Sequence, residues 1–284
     1  MCQFRRLNMD LKSIMEVFPK YCLVSAVNDD AVLASCLRAS PDFGGPEFEV
    51  FEQRGYSSAA VAYNEALERS TGEVVIFAHQ DVYFPEGWLA RLEIALHWMA
   101  KHDPEWGVLG VYGVGADGRP AGWTYSTGLG RELGGPSPEP LPVRTLDEVV
   151  LIVRRSSGLK FDEGVEGFHM YGTDVCLEAE RLGLGVYVIS SFAIHNSNGI
   201  GQLPSAFWQT YLYVRRKWWA QLPVAAPCAE VTRSLLPMWR ARLQRFVDFK
   251  LRGRAVGSRV PQPSVLYASL VASGEVISLE TLAS

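Results

Sequence analysis

The chain has 284 residues, of which 48% are hydrophobic and 20% charged, and its formal net charge is −4. This length allows a sizeable core in one or two domains, and the charge gives no overall basic field of the kind that indicates nucleic-acid binding. The five cysteines, Cys2 among them, share no metal-ligand or redox spacing, which predicts reduced thiols in a cytosolic protein. No apolar run is long enough for a signal peptide or a membrane span, so we expect neither.

Strands and helices alternate along the first part of the chain. This alternation predicts a parallel sheet with helices on both faces, which binds ligands at the carboxyl ends of its strands. The loops after Val27, Glu52 and Ala78 are therefore the expected site. The predicted strands cover residues 21–27, 47–52, 73–78 and 106–114, and the predicted helices cover 30–38, with an Asx cap at 28–30, then 57–69 and 87–101.

The middle of the chain is predicted to begin with a long loop and then to resume the sheet. Residues 115–142 are rich in glycine and proline, so we expect mostly loop, with an extended segment near 123–126. The later elements are predicted to be a strand over 143–155, a helix over 171–182 that Gly183 ends, and a strand over 186–195 that ends in His195.

The last part of the chain is predicted to be a helical appendage. Residues 229–254 carry seven lysines or arginines against Glu230 and Asp248, and Pro237 is expected to start or kink a helix there. We expect the region 205–254 to pack on the rest of the chain or on a second subunit, with membrane-surface contact as the alternative. The tail after Gly253 is expected to be partly loose. One predicted helical face of residues 205–222 holds Phe207, Trp208, Tyr211, Leu212, Trp218, Trp219 and Leu222.

Three short segments carry side chains suited to chemistry. In the first, His79 and Asp81 follow a buried strand, and one aspartate with one histidine would suffice to hold Mn²⁺ beside phosphate. In the second, Asp174 falls in the first turn of a helix, where it is either a structural carboxylate or a general base. In the third, His195 ends another buried strand and is either a core histidine or a ligand.

Taken together, these segments resemble the family 2-type glycosyltransferases with a GT-A fold. The run YNEALERSTGEVVIFAHQDV, followed by Pro85 and Trp88-Leu89, is similar to the donor half of those enzymes. The run FDEGVEGFHMYGTDVCLEAERLGLGVYVISSFAIHNSNG is similar to the acceptor half. The motifs His-Gln-Asp-Val and Tyr-Gly-Thr-Asp resemble those of a bacterial subgroup of glycosyltransferase-like proteins that build polysaccharides or glycoconjugates.

The resemblance implies a fold and a division of the chain. The fold is an α/β GT-A fold, with a Rossmann-like, mostly parallel mixed sheet flanked by helices and a helical C-terminal appendage. Residues 1–204 would form the glycosyltransferase domain, with a donor half at about 21–114 and an acceptor half at about 115–204. Residues 205–284 would form the helical C-terminal region.

The resemblance also implies a metal-assisted and inverting reaction. His79-Gln80-Asp81 stands where the family has the Asp-X-Asp motif that holds a metal on the donor diphosphate. Asp81 would then bind Mn²⁺ or Mg²⁺ with His195 as the second protein ligand, while His79 would orient Asp81 or contact phosphate. Thr173-Asp174 stands where the family has the Glu-Asp pair, so Asp174 would be the general base.

Further residues are expected to bind the donor, which we predict to be a UDP-sugar. The backbone of Ala26 and Val27 would line the base, Glu52 would accept a hydrogen bond from a uracil-type N–H, and Asn64 would face the same cleft.

The acceptor half is expected to bind a glycan, a lipid-linked molecule or another hydroxyl compound. His169 and Tyr171 would contact it, and Asp147 competes with Asp174 for the role of base. We expect a cytoplasmic protein, either free or at the inner face of the membrane.

Three other functions are alternatives to sugar transfer. A GT-A-like protein that binds a nucleotide sugar or glycan without turnover is the main alternative, because both motifs depart from the family pattern. An NAD(P)-dependent dehydrogenase would need a Gly-X-Gly-X-X-Gly turn after the first strand, and residues 27–30 contain no glycine. A nucleotidyltransferase would need a glycine-rich basic loop at the same place, which is also missing.

Overall fold

The computed structural model describes residues 21–43, 48–279 and 281. The predictions that concern the N-terminal twenty residues, Cys2, and residues 44–47 lie outside the described residues. The strands are β1 (Tyr21–Val27), β2 (Glu49–Arg54), β3 (Val74–Ala78), β4 (Val82–Tyr83), β5 (Trp106–Gly110), β6 (Tyr112–Val114), β7 (Pro120–Ser126), β8 (Arg131–Gly134), β9 (Leu141–Pro142), β10 (Thr145–Leu146), β11 (Val150–Arg154), β12 (Gly185–Val188) and β13 (Ala193–His195). The helices are α1 (Asp30–Ser35), α2 (Ala59–Arg69), α3 (Trp88–His102), α4 (Tyr171–Arg181), α5 (Ser205–Lys217), α6 (Leu236–Phe246) and α7 (Pro263–Ala272).

The main sheet is mixed. Its seven described strands run in the order β2-β1-β3-β11-β5-β12-β9. The pairs β1·β2, β1·β3 and β5·β12 are parallel, whereas β11 lies antiparallel between β3 and β5. Hydrophobic clusters cover both faces of this sheet, which is why β3, with the sequence VVIFA, is buried along its whole length. The predicted α/β class with a mixed sheet is confirmed.

The described residues form a second sheet as well. Its described strands run in the order β10-β6-β7-β13-β4, and β8 pairs with β7. Residues 120–134 therefore form an antiparallel hairpin, and the prediction of mostly loop over 115–142 was wrong in extent. The glycine content predicts loop there, but Gly122 and Gly134 lie inside this sheet, where their positive φ angles allow close backbone contact.

Three predicted strands are each divided between the two sheets. The segment 106–114 breaks at Val111, whose carbonyl accepts a hydrogen bond from the Trp123 backbone. The segment 143–155 becomes β10 and β11, and the segment 186–195 becomes β12 and β13. Between β12 and β13 the chain turns away because the Ser191 hydroxyl donates to the Trp88 carbonyl and the Trp88 indole donates to the Ser191 carbonyl.

The other predicted elements differ only at their ends. The helix predicted over 30–38 stops at Ser35, and the strand predicted over 47–52 is described from Glu49 to Arg54. Helix α1 begins after Asp29, whose carboxylate accepts from the Ala31 and Val32 backbone N–H groups. The Asx cap predicted for this helix is thus confirmed.

The C-terminal region packs on the main body through part of the predicted aromatic face. Phe207, Trp208 and Tyr211 are buried in one of the two cores. Leu212 and Trp219 were predicted to share that face but are 43% and 47% exposed. Trp219 lies beyond the end of α5 at Lys217, so it does not continue the helical face.

Two further features of this region bear on the predictions. Pro237 lies in the first turn of α6, so it starts that helix as expected. The tail after Gly253 was expected to be loose, yet it contains α7, and its Val260 exchanges two hydrogen bonds with Asn196. Within the described ranges, each helix is too short or too polar to cross a bilayer.

Candidate metal and donor site

The sheet ends bring together two imidazoles and one carboxylate. His79 and Asp81 follow β3, and His195 ends β13. Strand β4 holds this arrangement in place, because it pairs with β13 and because the Asn196 N–H donates to the Asp81 carbonyl at 2.8 Å. One ligand atom from each of the three side chains lies within 4.8 Å of the others, and His195 Nε2 is 3.5 Å from Asp81 Oδ1. The predicted pair of Asp81 and His195 is thus brought together, with His79 as a third member.

The ring of His79 is oriented by Tyr171. Its Nε2 lies 2.9 Å from the Tyr171 hydroxyl, which itself donates to the Glu148 carbonyl at 3.3 Å. A hydroxyl that donates to a carbonyl can accept from Nε2–H, and this tautomer leaves the lone pair of His79 on Nδ1. Such a contact from a neighbouring group is typical of histidines that bind metals.

The electrostatics of the cluster favour an ionised carboxylate beside a neutral imidazole. Burial alone would raise the pKa of Asp81, but His195, His79 and Arg259 outweigh it and hold the pKa of that carboxyl well below its usual range. Burial would lower the pKa of His195, yet the carboxylates of Asp81 and Asp147 raise it. Burial lowers the pKa of His79. The cluster therefore presents an ionised carboxylate and the neutral His79 imidazole to a cation, and a metal bound through His195 would displace the proton that its raised pKa favours.

The three side chains fit a divalent metal. Two imidazole nitrogens with one carboxylate oxygen, all on one side, leave positions for phosphate oxygens and water. Imidazole nitrogen suits first-row transition metals better than Mg²⁺, which prefers oxygen. The donor set thus fits Mn²⁺ better than the Mg²⁺ that the sequence left as an alternative.

The C-terminal tail supplies a cation that sequence reasoning missed. The Arg259 guanidinium lies 3.2 Å from Asp81 Oδ2 and donates from Nε to the Asn196 carbonyl at 2.8 Å. Asn196 is fully buried and anchors the tail by bonding both backbone groups of Val260 at 2.8 Å. Nothing near Arg259 in the sequence indicates this role, although the position of Asn196 directly after His195 could have drawn attention to it.

The residues predicted to bind the donor fall into two groups. Gln80 accepts from the Asn28 and Asp29 backbone N–H groups at 3.0 Å, which ties the metal cluster to the end of β1. Ala26 and Val27 end that strand and border the same loop. These residues lie together at the end of β1, and their contact with a donor stays a prediction.

Glu52 and Asn64 are engaged elsewhere. The Glu52 carboxylate pairs with Arg38 and with Arg54, and it lies within β2 rather than beyond the strand. Asn64 was expected to face the cleft, but both atoms of its amide are occupied. Its Nδ2 donates to the Phe161 carbonyl at 2.8 Å and its Oδ1 accepts from the Phe161 N–H at 2.9 Å, so it fastens α2 to that loop.

Asp174 is buried away from the cleft. The side chain is 1% exposed, its Oδ1 accepts from the Trp218 indole at 2.7 Å, and its Oδ2 lies 2.9 Å from Lys217 Nζ. Lys217 also pairs with Asp162 and Glu178, and these carboxylates outweigh burial and raise the pKa of its ammonium. The geometry is that of a structural carboxylate, so it does not support the expected role as base.

A small cavity of about 10 Å³ is lined by the remaining acidic candidates. Asp147 and Glu148 line it together with Met170 and Thr173 at the start of α4, and Cys228 closes it. Met170 has a φ of 64°, a strained conformation for a bulky residue of the kind that clusters at functional sites.

The two carboxyls of this cavity differ. The pKa of Glu148 is raised to about 8 by burial and by the charge of Asp147, although the Gly172 and Met170 backbone N–H groups act against this. The negative charge of Asp147 acts to raise the pKa of both His79 and His195.

The two side chains predicted to bind the acceptor are placed differently. His169 is half-buried with its ring 5.7 Å from that of Phe207, which also lines the cavity. Tyr171 is 1% exposed and contacts His79, so the structure does not support its expected contact with the acceptor.

Known proteins resemble this chain in sequence over part of its length. Residues 22–130 match the model of a family described as glycosyltransferase like. A protein from Fuscovulum blasticum, described as ATP synthase subunits region ORF 6, is 33% identical over 143 residues, which covers 47% of this chain and 55% of that protein.

Solved structures resemble it in fold. The crystal structure of GalNAc-T7 with UDP, GalNAc and Mn²⁺ superposes with a TM-score of 0.50 at 13% identity, over 72% of this chain and 49% of that one. The structure of S. aureus TarS 1-349 has a TM-score of 0.44 at 14% identity, over 82% of this chain and 73% of that one. The chain thus spans about half the length of the Fuscovulum protein and of GalNAc-T7. It has the GT-A fold, and its residues 22–130 are similar to the glycosyltransferase-like family.

Proposed function

We propose that the protein is a glycosyltransferase that moves a sugar from a nucleotide-diphosphate donor, a UDP-sugar, to an acceptor hydroxyl. The observation that carries the proposal is the cluster of His79, Asp81 and His195 at the carboxyl end of the central strands of a GT-A fold. Ligands of open α/β sheets bind at this edge. The presence of UDP and Mn²⁺ in GalNAc-T7, which shares the fold, supports the choice of donor and metal.

The three clustered side chains would hold Mn²⁺. When bound, the metal would act as a Lewis acid on the oxygens of the leaving diphosphate. Asp81 supplies the negative charge, and Tyr171 orients His79 so that its Nδ1 faces the ion. Gln80 holds the loop after β1, where Ala26 and Val27 would contact the nucleotide base.

Arg259 would exchange partners when donor and metal bind. Its guanidinium pairs with the same carboxylate that the metal needs, so the two cations compete for Asp81. A diphosphate at this edge of the sheet offers Arg259 a new partner, because a guanidinium binds phosphate oxygens well. The tail would then stay closed over the donor through its bonds to Asn196.

The base of an inverting transfer would be Asp147. A general base has to be ionised at the working pH and must reach the acceptor hydroxyl. Asp174 is enclosed by Lys217 and Trp218, and the raised pKa of Glu148 keeps that carboxyl largely protonated near neutrality. Asp147 is only half-buried where it lines the cavity, so an acceptor hydroxyl could approach it.

The test is the binding of UDP to the Asp81→Asn variant, measured by calorimetry with and without Mn²⁺. Removing a ligand should weaken Mn²⁺-dependent UDP binding by at least ~100-fold, since even groups behind the ligands contribute about 10–100-fold to metal affinity. Glu52→Gln, a control at the neighbouring strand, should keep the metal dependence. Unchanged affinity and unchanged metal dependence in Asp81→Asn would refute the site.

A protein that binds the nucleotide sugar without turnover is the second candidate. Thr173 stands where the glycosyltransferases that the sequence resembles have glutamate, and the neighbouring Asp174 is enclosed. Mn²⁺-dependent UDP binding with no release of UDP from any UDP-sugar, in the presence of candidate acceptors, would favour this function over transfer.

A further inference from the structure

Helix α6 exposes an apolar stripe, part of which borders a cavity of about 300 Å³ that Leu203 and Trp208 of the body also line. Leu236, Trp239, Leu243 and Phe246 follow one another at helical spacing and are 65%, 55%, 64% and 45% exposed. The opposite side of the helix attaches it to the body, because Met238 is buried in the core. Side chains of this size are rarely exposed together on a monomer unless they meet a partner or a membrane.

Positive charge surrounds the same stripe. The net charge of residues 229–254 is +5, whereas that of the whole chain is −4, so the rest of the chain has a net charge of −9. Within this segment the Arg242 guanidinium lies 4.9 Å from the Trp239 ring centre. Arg240 and Lys250 are exposed beside the stripe. The basic charge of the protein is thus concentrated where its apolar side chains are exposed.

We propose that this surface, α6 and the residues that follow it to Arg254, docks on an anionic lipid bilayer. A helix with tryptophan, phenylalanine and leucine on one side and arginine beside them is suited to the interface between headgroups and acyl chains. Anionic lipid attracts such a segment, while the net charge of −9 on the rest of the chain disfavours contact of its other faces with the bilayer. A soluble polyanion would satisfy the arginines but would leave the apolar stripe in water.

The surface is joined to the metal cluster by a short segment. Phe249 lies against Gly201, and Val256 lies against Gly199 in the loop that follows His195. Gly257 bonds the Gly199 backbone at 2.9 Å, and Arg259 then reaches Asp81. Docking would therefore hold the cleft next to the bilayer. This last step rests on the proposed function, and it implies that the acceptor is carried by a membrane lipid.

The experiment is co-sedimentation of the full chain with vesicles, without nucleotide. We expect binding to vesicles of phosphatidylcholine mixed with phosphatidylglycerol, and little binding to phosphatidylcholine alone. Binding should fall steeply between ~0.1 M and ~1 M salt, because the screening length drops from about 10 Å to about 3 Å. Arg240→Gln with Lys250→Gln should lower the partition coefficient roughly 25-fold at low salt, about fivefold for each charge.

A triple variant tests the apolar stripe. Trp239→Ser, Leu243→Ser and Phe246→Ser together should lower partitioning by at least ~100-fold, because burial of each such side chain contributes on the order of tenfold. The control variant is Val50→Ser with Ile94→Ser and Val265→Ser, which are similarly exposed elsewhere and should leave binding unchanged. Circular dichroism checks that each variant is folded.

Two results would overturn the docking. One is equal partitioning of the stripe variant and the wild type. The other is a stable dimer in light scattering that the stripe variant converts to a monomer, with no vesicle binding by either form, because the stripe would then cover a second copy. Asp81→Asn should bind vesicles as the wild type does, so failure of the sugar-transfer proposal and failure of docking are distinguishable.

Discussion

Two acidic regions of this molecule begin from similar sequence patterns and end in opposite environments. Asp81 follows a buried strand and shares its carboxylate with His195 and Arg259 at the edge of the sheet. Asp174 lies in the first turn of α4 and gives both oxygens to Lys217 and Trp218 in the interior. The first is arranged to accept a further cation, whereas the second already has one.

The difference teaches that the surrounding chain, rather than the local motif, decides the role of a carboxylate. Lys217 ends α5, Trp218 follows it, and Lys217 lies 43 residues from Asp174 in the sequence. No local sequence pattern connects these two residues with Asp174. Once this helix packs on α4, the helix-start aspartate becomes half of a buried ion pair. Asp81 and Asp147, by contrast, each follow the end of a strand, β3 and β10, and neither is enclosed in this way.

The largest expected effect separates Asp147 from Asp174 in the reaction. Asp147→Asn should slow the release of UDP from a UDP-sugar by ~10²–10⁴-fold, the usual contribution of a general base, and should change Mn²⁺-dependent UDP affinity little. Single-turnover kinetics with calorimetry on the same sample measures both. Asp174→Asn is the matched control and, while folded, should keep the rate within about tenfold. Lost transfer in folded Asp174→Asn with normal UDP binding would return the role of base to Asp174.

The next effect concerns stability. Asp174→Asn should lower the free energy of unfolding by about 3 kcal/mol, because Lys217 and the Trp218 indole lose a buried, charged hydrogen-bond partner. This loss lies at the lower end of the usual range for a broken buried ion pair, since Lys217 still pairs with Asp162 and Glu178. Urea unfolding measures it. Glu178→Gln removes another partner of the same lysine at a more exposed position and should cost less than about 1 kcal/mol. Equal losses in the two variants would contradict the assignment of Asp174 as the structural member.

The smallest effect tests the competition for Asp81. Arg259→Gln should strengthen the binding of Mn²⁺ alone by about 5- to 10-fold, since a charge-assisted hydrogen bond to the carboxylate no longer has to be broken. The same variant should weaken UDP binding in the presence of saturating Mn²⁺, because the diphosphate loses its arginine. Electron paramagnetic resonance of free Mn²⁺ measures the first quantity and calorimetry the second. Weaker binding of Mn²⁺ alone would show that Arg259 does not compete with the metal.

Local signals predicted much of the donor half correctly. The apolar runs of β1 and β3, the Asx cap at Asp29 and the long helix α3 all lie close to where periodicity placed them. These elements depend on contacts between residues near in sequence, such as caps and helical stripes. The predicted pairing of Asp81 with His195 also needed the resemblance to a family, because the two residues are far apart in the chain.

The predictions were wrong where one apolar run is divided into two strands that belong to different sheets. Periodicity shows that residues 186–195 prefer an extended conformation, but it contains nothing about which neighbours they pair with. The turn between β12 and β13 depends on Trp88, which lies about a hundred residues earlier. Met170 likewise takes a positive φ only because the body of the protein imposes it.

The sequence by itself thus determined the α/β class and the alternation of elements in the donor half, since both follow from local pattern, while the resemblance to a family singled out Asp81 and His195. Only the tertiary structure decided that Asp174 is enclosed, that Tyr171 supports His79 and that Arg259 reaches Asp81 from the tail. The physical reason is that a charged group's environment is set by whichever side chains pack around it, and here those come from α4, α5 and the tail rather than from neighbours in the chain.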